Sequence, residues 1–269
     1  MQESFFSERG LYYRVSEIRP NLPTIVLLHG LSGSSSVWLP YEERLENTHN
    51  ILSLDLRGHG KSKRWSTYRE YNFQFFAEDI LLLLRQLNIE TYILVSHSFG
   101  TLVALHVLLQ KNGAEKLLLL SPNYAVHRTF RARLTRGILG LVTTLFSWLP
   151  SVYWRGEHID YSKLGYSKDW DRRRLYLDIF NTGVRTYLHC LHHIYAFKRD
   201  SDWSRISIPT LVVHGAQDSF VPIAHALELV SIIPHAKFKM LGNANHVLVL
   251  NNFEDVATII ENFTSQRVT

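Results

Sequence analysis

Ser98 closes the apolar, β-type run 92–96 and stands just before a helix-like segment, Thr101–Gln110. A serine at such a strand-to-helix junction has the makings of a nucleophile. The sharp turn lifts its hydroxyl clear of the sheet, and the N–H groups at the helix start face developing negative charge. A turn of this kind needs small neighbours, and Ser96 and Gly100 stand two residues to either side. A plain turn serine would fit those five residues equally well, and a nucleophilic serine needs a base. Two distant residues supply the missing chemistry. His246 lies in the turn-rich stretch after the strand-like run Lys237–Leu241, on a loop where an imidazole can reach the ligand-binding edge of a sheet. Asp218 follows the run Pro209–His214 by a short turn, where a carboxylate can orient the imidazole and stabilise its cation. The bland alternative for Asp218 is a helix cap or turn aspartate.

The elements that must position these groups alternate along the chain. Strand-like runs occur at Leu11–Val15, Thr24–His29, Asn50–Asp55, Tyr92–Ser96, Lys116–Leu120, Pro209–His214 and Lys237–Leu241, separated by helix-length segments. Such alternation predicts a mostly parallel sheet covered on both faces. Phe76, Ile80, Leu83, Leu84 and Leu87 repeat at helical spacing and predict an amphipathic helix over Phe73–Leu87; Phe253–Phe263 reads the same way. One stretch breaks the pattern. Residues 123–203 show helical periodicity without strands and carry four of the six tryptophans: Trp148, Trp154, Trp170 and Trp203.

At this point the chain resembles the α/β-hydrolase family along nearly its whole length. The resemblance rests on His29-Gly30, the run from Asp55 to Ser62, Ser96–Gly100, Gly215–Asp218 and Asn245-His246. Ser96 replaces the first glycine of the family's G-x-S-x-G turn, a small-for-small change. The resemblance implies a doubly wound α/β core over residues 1–122 and 204–269 with an inserted helical cap over 123–203. It also implies a triad in the order Ser98, Asp218, His246, and an oxyanion hole made by the backbone N–H groups of Leu31 and Phe99. Some members carry the acid one strand earlier, but here that stretch reads Leu120-Ser121-Pro122-Asn123 and offers no carboxylate. Dehalogenases and epoxide hydrolases of this fold would be expected to have aspartate where Ser98 stands.

Bulk properties set limits. With 269 residues, 46% of them hydrophobic, the chain can bury a sizeable core. No apolar run reaches the roughly 18 residues needed to span a bilayer, and the acidic start, Met-Gln-Glu-Ser, lacks the positive character of a signal peptide, so a cytoplasmic location is expected. Cys190, the single cysteine, reads as an ordinary buried residue. No dinucleotide, Walker or zinc motif is present, so neither cofactor nor metal is expected. His189, His192 and His193 cluster at metal-compatible offsets, but lack a carboxylate or cysteine in register. The formal charge of +5 is concentrated in residues 123–203, which hold 13 of the 29 Lys and Arg and 7 of the 24 Asp and Glu. Arg172-Arg173-Arg174 reads as a solvated helix face in preference to a nucleic-acid site. The run Arg131–Leu149 reads first as cap packing, and second as an acyl pocket or a peripheral contact with anionic lipid.

These readings converge on a serine esterase acting through an acyl-enzyme. The expected substrate is a small-molecule carboxylic ester with an apolar group, suited to the cap aromatics Phe130, Phe146, Trp148, Tyr153 and Trp154. Rivals of the same fold are a C–C hydrolase of keto-acids, which the basic cap would suit, an aminopeptidase and an acyltransferase. A receptor with a vestigial site is a rival of another class, disfavoured because all three triad residues are present.

Overall fold

A computed structural model describes residues 1–110, 113–123, 130–147, 156–197 and 202–265. Eight strands form one sheet: β1 (Gln2–Phe6), β2 (Leu11–Val15), β3 (Thr24–Leu28), β4 (Asn50–Leu54), β5 (Tyr92–His97), β6 (Ala114–Leu120), β7 (Thr210–Gly215) and β8 (Lys237–Leu241). Their order is β1-β2-β4-β3-β5-β6-β7-β8. The first two strands run antiparallel to their neighbours, and every pair from β4 onward is parallel. The expected strands are present within a residue or two of their predicted ends. β1 was not expected: it is an edge strand whose mostly exposed, polar start carries no apolar alternation.

Helices cover both faces, and alternation along the strands explains why. On β3, Val26 and Leu28 point into a cluster with Phe76, Ile80 and Leu83 of α2 (Phe73–Gln86) and Leu102 of α3 (Phe99–Leu108). Ile25 and Leu27 point the other way, against Tyr41 and Leu45 of α1 (Leu39–Leu45) and Val256 and Ile260 of α9 (Phe253–Ser265). Each buried side chain of this size contributes about 1.5–3 kcal/mol, so a slip of one residue along β3 would exchange its two buried faces.

Between β6 and β7 the described residues form three α-helices, α4 (Phe130–Ser147), α5 (Arg172–Thr182) and α6 (Val184–Ala196). Helices α7 (Ile223–Ile232) and α8 (Leu248–Asn251) complete the α-helices among the described residues. Asp55 and Arg57 organise the loop after β4. The Asp55 carboxylate accepts the N–H groups of Ser35 and Lys61, both at 2.7 Å, and Arg57 pairs with the buried Asp79 at 2.6 Å.

Candidate active site

The turn at Ser98 follows from the elements on either side. β5 ends at His97, α3 starts at Phe99, and Ser98 joins them with φ +49° and ψ −113°, a left-handed conformation rare outside glycine. Gly100 lets α3 sit this close to the sheet. A Cβ there would lie 2.6 Å from the carbonyl oxygen of His29 and 2.9 Å from that of Leu28.

Three side chains from three separate loops meet at this turn. The Ser98 Oγ lies 2.8 Å from Nε2 of His246, whose Nδ1 lies 2.8 Å from Oδ2 of Asp218. The other carboxylate oxygen, Oδ1, accepts the N–H groups of Phe220 at 2.9 Å and Val221 at 2.8 Å. Burial alone would raise the Asp218 carboxyl, but the His246 ring and the Val221 N–H hold it below its ordinary value. An ionised Asp218 only accepts, so Nδ1 of His246 carries the proton and Nε2 is left to accept from the serine hydroxyl.

The neighbouring loops are built to hold this arrangement. His29 accepts the Leu56 N–H on Nε2 at 2.9 Å and donates from Nδ1 to the Gly30 carbonyl at 2.8 Å, which also receives the Gly33 N–H at 3.2 Å. That fixes the loop Gly30–Gly33, where Leu31 borders the cavity above Ser98. Phe99, the other residue assigned to the oxyanion hole, directs its ring into the buried cluster with Phe73 and Phe76. His97, expected to play a supporting part, donates from Nε2 to the His246 carbonyl at 2.9 Å. His214 lies within β7, as expected, with Nε2 at 3.1 Å from the Val221 carbonyl.

Sequence reading missed Asp169. Its Oδ1 accepts the His246 N–H at 2.8 Å, and its Oδ2 accepts the N–H and hydroxyl of Ser219 at 2.8 and 2.9 Å. It therefore bridges the loops that carry His246 and Asp218. Ser167 adds to the joint by accepting Asn245 at 2.9 Å and Asn251 at 2.7 Å on its carbonyl. Nothing in the stretch Ser167–Asp171 signals these partners, which lie 50 to 84 residues away in sequence.

A cavity of about 800 Å³ opens above Ser98 and His246. Its described aromatic lining comes from Tyr161, Trp170, Tyr187, Tyr195 and Phe220. Of the expected set, Phe146 is not among the described lining residues, while Trp148, Tyr153, Trp154 and the side chain of Phe130 lie outside what the structure describes. Arg174 is the one Lys or Arg among the described lining residues, and each of its three side-chain nitrogens is hydrogen-bonded. Its guanidinium donates to Asp178 at 3.0 Å, to the Ser167 hydroxyl at 2.8 Å and to the Asp169 carbonyl at 2.8 Å. Burial pushes Asp178 up to about 6 against the pull of Arg174 and Tyr161.

Two further expectations need adjustment. Arg172 and Arg173 face solvent, but Arg174 is buried, so the triple-arginine run is not one solvated face. Cap packing accounts for only part of the apolar run in α4: Leu139, Val142 and Phe146 are half-buried, but Leu134, Ile138, Leu141 and Leu145 are exposed; Leu149 lies outside the described residues. His189, His192 and His193 surround Tyr68, whose ring stacks on that of His193 at 4.0 Å. Cys190 is buried.

Comparison with known proteins adds to this geometry. A family model described as alpha/beta hydrolase fold matches residues 23–253. A curated relative from Stutzerimonas stutzeri, named "Putative carbamate hydrolase RutD", is 26% identical over 90% of this chain and 92% of its own length. Among solved structures, the enol-lactonase from Burkholderia xenovorans superposes with a TM-score of 0.71 at 22% identity, covering 95% of this chain and 96% of the other. An esterase from Exiguobacterium antarcticum gives a TM-score of 0.73 at 18% identity, covering 95% and 96%. At those identities the two structures speak for the fold.

Proposed function

The chain belongs to the alpha/beta hydrolase fold family, and on that premise we propose that it is a serine hydrolase cleaving carboxylic esters with an apolar group through an acyl-enzyme on Ser98. The observation that carries this reading is the hydrogen-bonded line Asp218–His246–Ser98, with both contacts at 2.8 Å, at the floor of the cavity.

In this reading the Ser98 Oγ attacks the ester carbonyl carbon as His246 Nε2 takes the hydroxyl proton, and Asp218 stabilises the imidazolium. The carbonyl oxygen becomes an oxyanion that accepts the N–H groups of Leu31 and Phe99; losing one such donor typically costs about 10²–10³ in rate. Collapse breaks the bond to the leaving alkoxide, which takes the proton from His246. Water then attacks the acyl-serine, giving its proton to His246, and the acid departs as Ser98 regains its hydrogen. No step calls for a cofactor.

Residues 123–203 serve as a cap in this account, supplying Tyr161, Trp170, Tyr187 and Tyr195 to the cavity wall. Those rings suit an apolar acyl or alcohol group. With the guanidinium of Arg174 already engaged, the cavity offers a keto-acid carboxylate little, which weighs against C–C hydrolysis. The name of the RutD relative supports a second reading, in which the same serine attacks a carbamate carbonyl.

Turnover of p-nitrophenyl esters from acetate to palmitate, run beside an alkyl carbamate, tests the proposal. A chain-length optimum beyond acetate supports the ester reading, carbamate turnover alone favours the second, and folded protein inert to the whole panel contradicts both.

A further inference from the structure

Helix α4 presents an apolar stripe to solvent. Leu134, Ile138, Leu141 and Leu145 are 57, 55, 64 and 60% exposed. At about 3.6 residues per turn their spacing places all four on one side of the helix. The opposite side packs on α6, where Thr143 is buried and Gly140 lies against His192. A contiguous exposed stripe of large aliphatic side chains marks an interaction surface.

Charge identifies the partner. Arg131, Arg133 and Arg136 fall in the first two turns, and residues 130–147 contain no Asp or Glu. By position Arg131 and Arg133 flank the stripe, and Arg133 is exposed; Arg136, also exposed, falls on the far side of the helix with Thr143. We propose that this face lays α4 flat on an anionic bilayer surface, with the four aliphatic side chains at the acyl boundary and Arg133 among the headgroups. A second copy of the chain would present only another arginine-bearing stripe, without carboxylates to pair. The contact is peripheral, since no helix among the described residues is long and apolar enough to cross a membrane. Thr135 of the same helix lines the cavity, so docking brings the cavity beside the lipid.

The test is sedimentation of the full chain with phosphatidylcholine vesicles, with and without phosphatidylglycerol, at low and high salt. Wild type should pellet with the anionic vesicles and release at high salt. Leu141→Gln/Leu145→Gln should bind about tenfold more weakly or less still, with melting temperature and p-nitrophenyl acetate turnover unchanged. Failure of wild type to pellet, or undiminished binding by the variant, overturns the proposal. So does a dimer in sedimentation velocity that the variant abolishes while vesicles bind neither protein.

A separate observation concerns Asp169, and it rests on the assignment of Ser98 as nucleophile. Asp169 is buried and accepts N–H groups from both triad-bearing loops, yet touches no reacting atom. The geometry points to Asp169 as a positioning residue that sets the His246 ring against Ser98. Its neighbour Asp171 provides a control, because it caps α5 by accepting the N–H groups of Arg173 and Arg174 in place of either loop's.

Asp169→Asn keeps the size but replaces an acceptor oxygen with a donor amide. It should lower kcat about tenfold to a hundredfold with KM near wild type, and should slow fluorophosphonate labelling of Ser98 in parallel. Asp171→Ala should lower the melting temperature and leave kcat within about twofold. If Asp169→Asn does not fold, Ser219→Ala, which removes one of the three bonds, should give a smaller fall in kcat. Normal kcat and labelling in the variants overturns the assignment, whereas absence of labelling in wild type would instead overturn the nucleophile itself.

Discussion

The imidazole of His97 donates from Nε2 to the main-chain carbonyl of His246 at 2.9 Å. The residue next to the nucleophile thus holds the backbone of the residue assigned as base, and it does so as a neutral ring, because burial pushes His97 down to about 3. Replacing it with Phe fills the space but strands a buried carbonyl. His97→Phe should cost about 1–3 kcal/mol of stability and lower kcat, both readable from urea titration and ester turnover. Wild-type stability would contradict the structural weight given to this bond.

Stability should fall as the solution becomes acidic. Burial holds His97 and His59 at about 3, against about 6.5 in an unfolded chain. Between those values the unfolded chain binds more protons, so this stabilisation is complete above about pH 6.5 and is lost as pH drops, at about 1.4 kcal/mol per unit for each ring. Asp178 acts in the opposite sense. With its carboxyl raised by burial to about 6, the folded state binds more protons between about pH 4 and 6, and this offsets roughly one ring over that narrower range. The urea midpoint should therefore decrease from about pH 7 to about pH 5, and an increase would contradict the account.

Ser98 adopts φ +49° and ψ −113°, and strain of this kind costs about 1–3 kcal/mol in a residue with a side chain. Glycine relieves it and alanine does not. Ser98→Gly should therefore be more stable than Ser98→Ala by about 1 kcal/mol, although both lose turnover. Equal melting temperatures would mean that the turn stores no strain.

Asp218→Asn should retain the fold, since an amide still fits between the Phe220 and Val221 N–H groups and the His246 ring. It can present an N–H to the ring and so favour the wrong imidazole tautomer. Turnover should fall by about 10³–10⁴ with little change in melting temperature. Near-normal activity would move the acid's role elsewhere.

Much of the site was legible because its chemistry is local. Ser98, with Ser96 and Gly100, announces a tight turn in five residues, and Asp218 and His246 each follow a strand-like run. Asp169 was illegible because its two partners, Ser219 and His246, lie far away in sequence and it sits among ordinary helix-start residues. Arg174 was misread for a different reason: its partners Ser167, Asp169 and Asp178 are close in sequence, but helical periodicity alone does not show that they bury it. The edge strand β1 escaped because a strand paired on one side and open to water need not alternate in hydrophobicity. The stripe on α4 was visible as an apolar run, but sequence could not tell which of its residues pack and which face outward.

The central claim is that Ser98 carries the acyl group. Fluorophosphonate treatment of wild type and Ser98→Ala, followed by intact-mass and peptide mapping with ester turnover measured in parallel, tests it most directly. The account predicts one adduct on Ser98, concurrent loss of turnover, and neither labelling nor turnover in the variant. Turnover that survives in Ser98→Ala, or an adduct on another residue, would remove Ser98 from the mechanism.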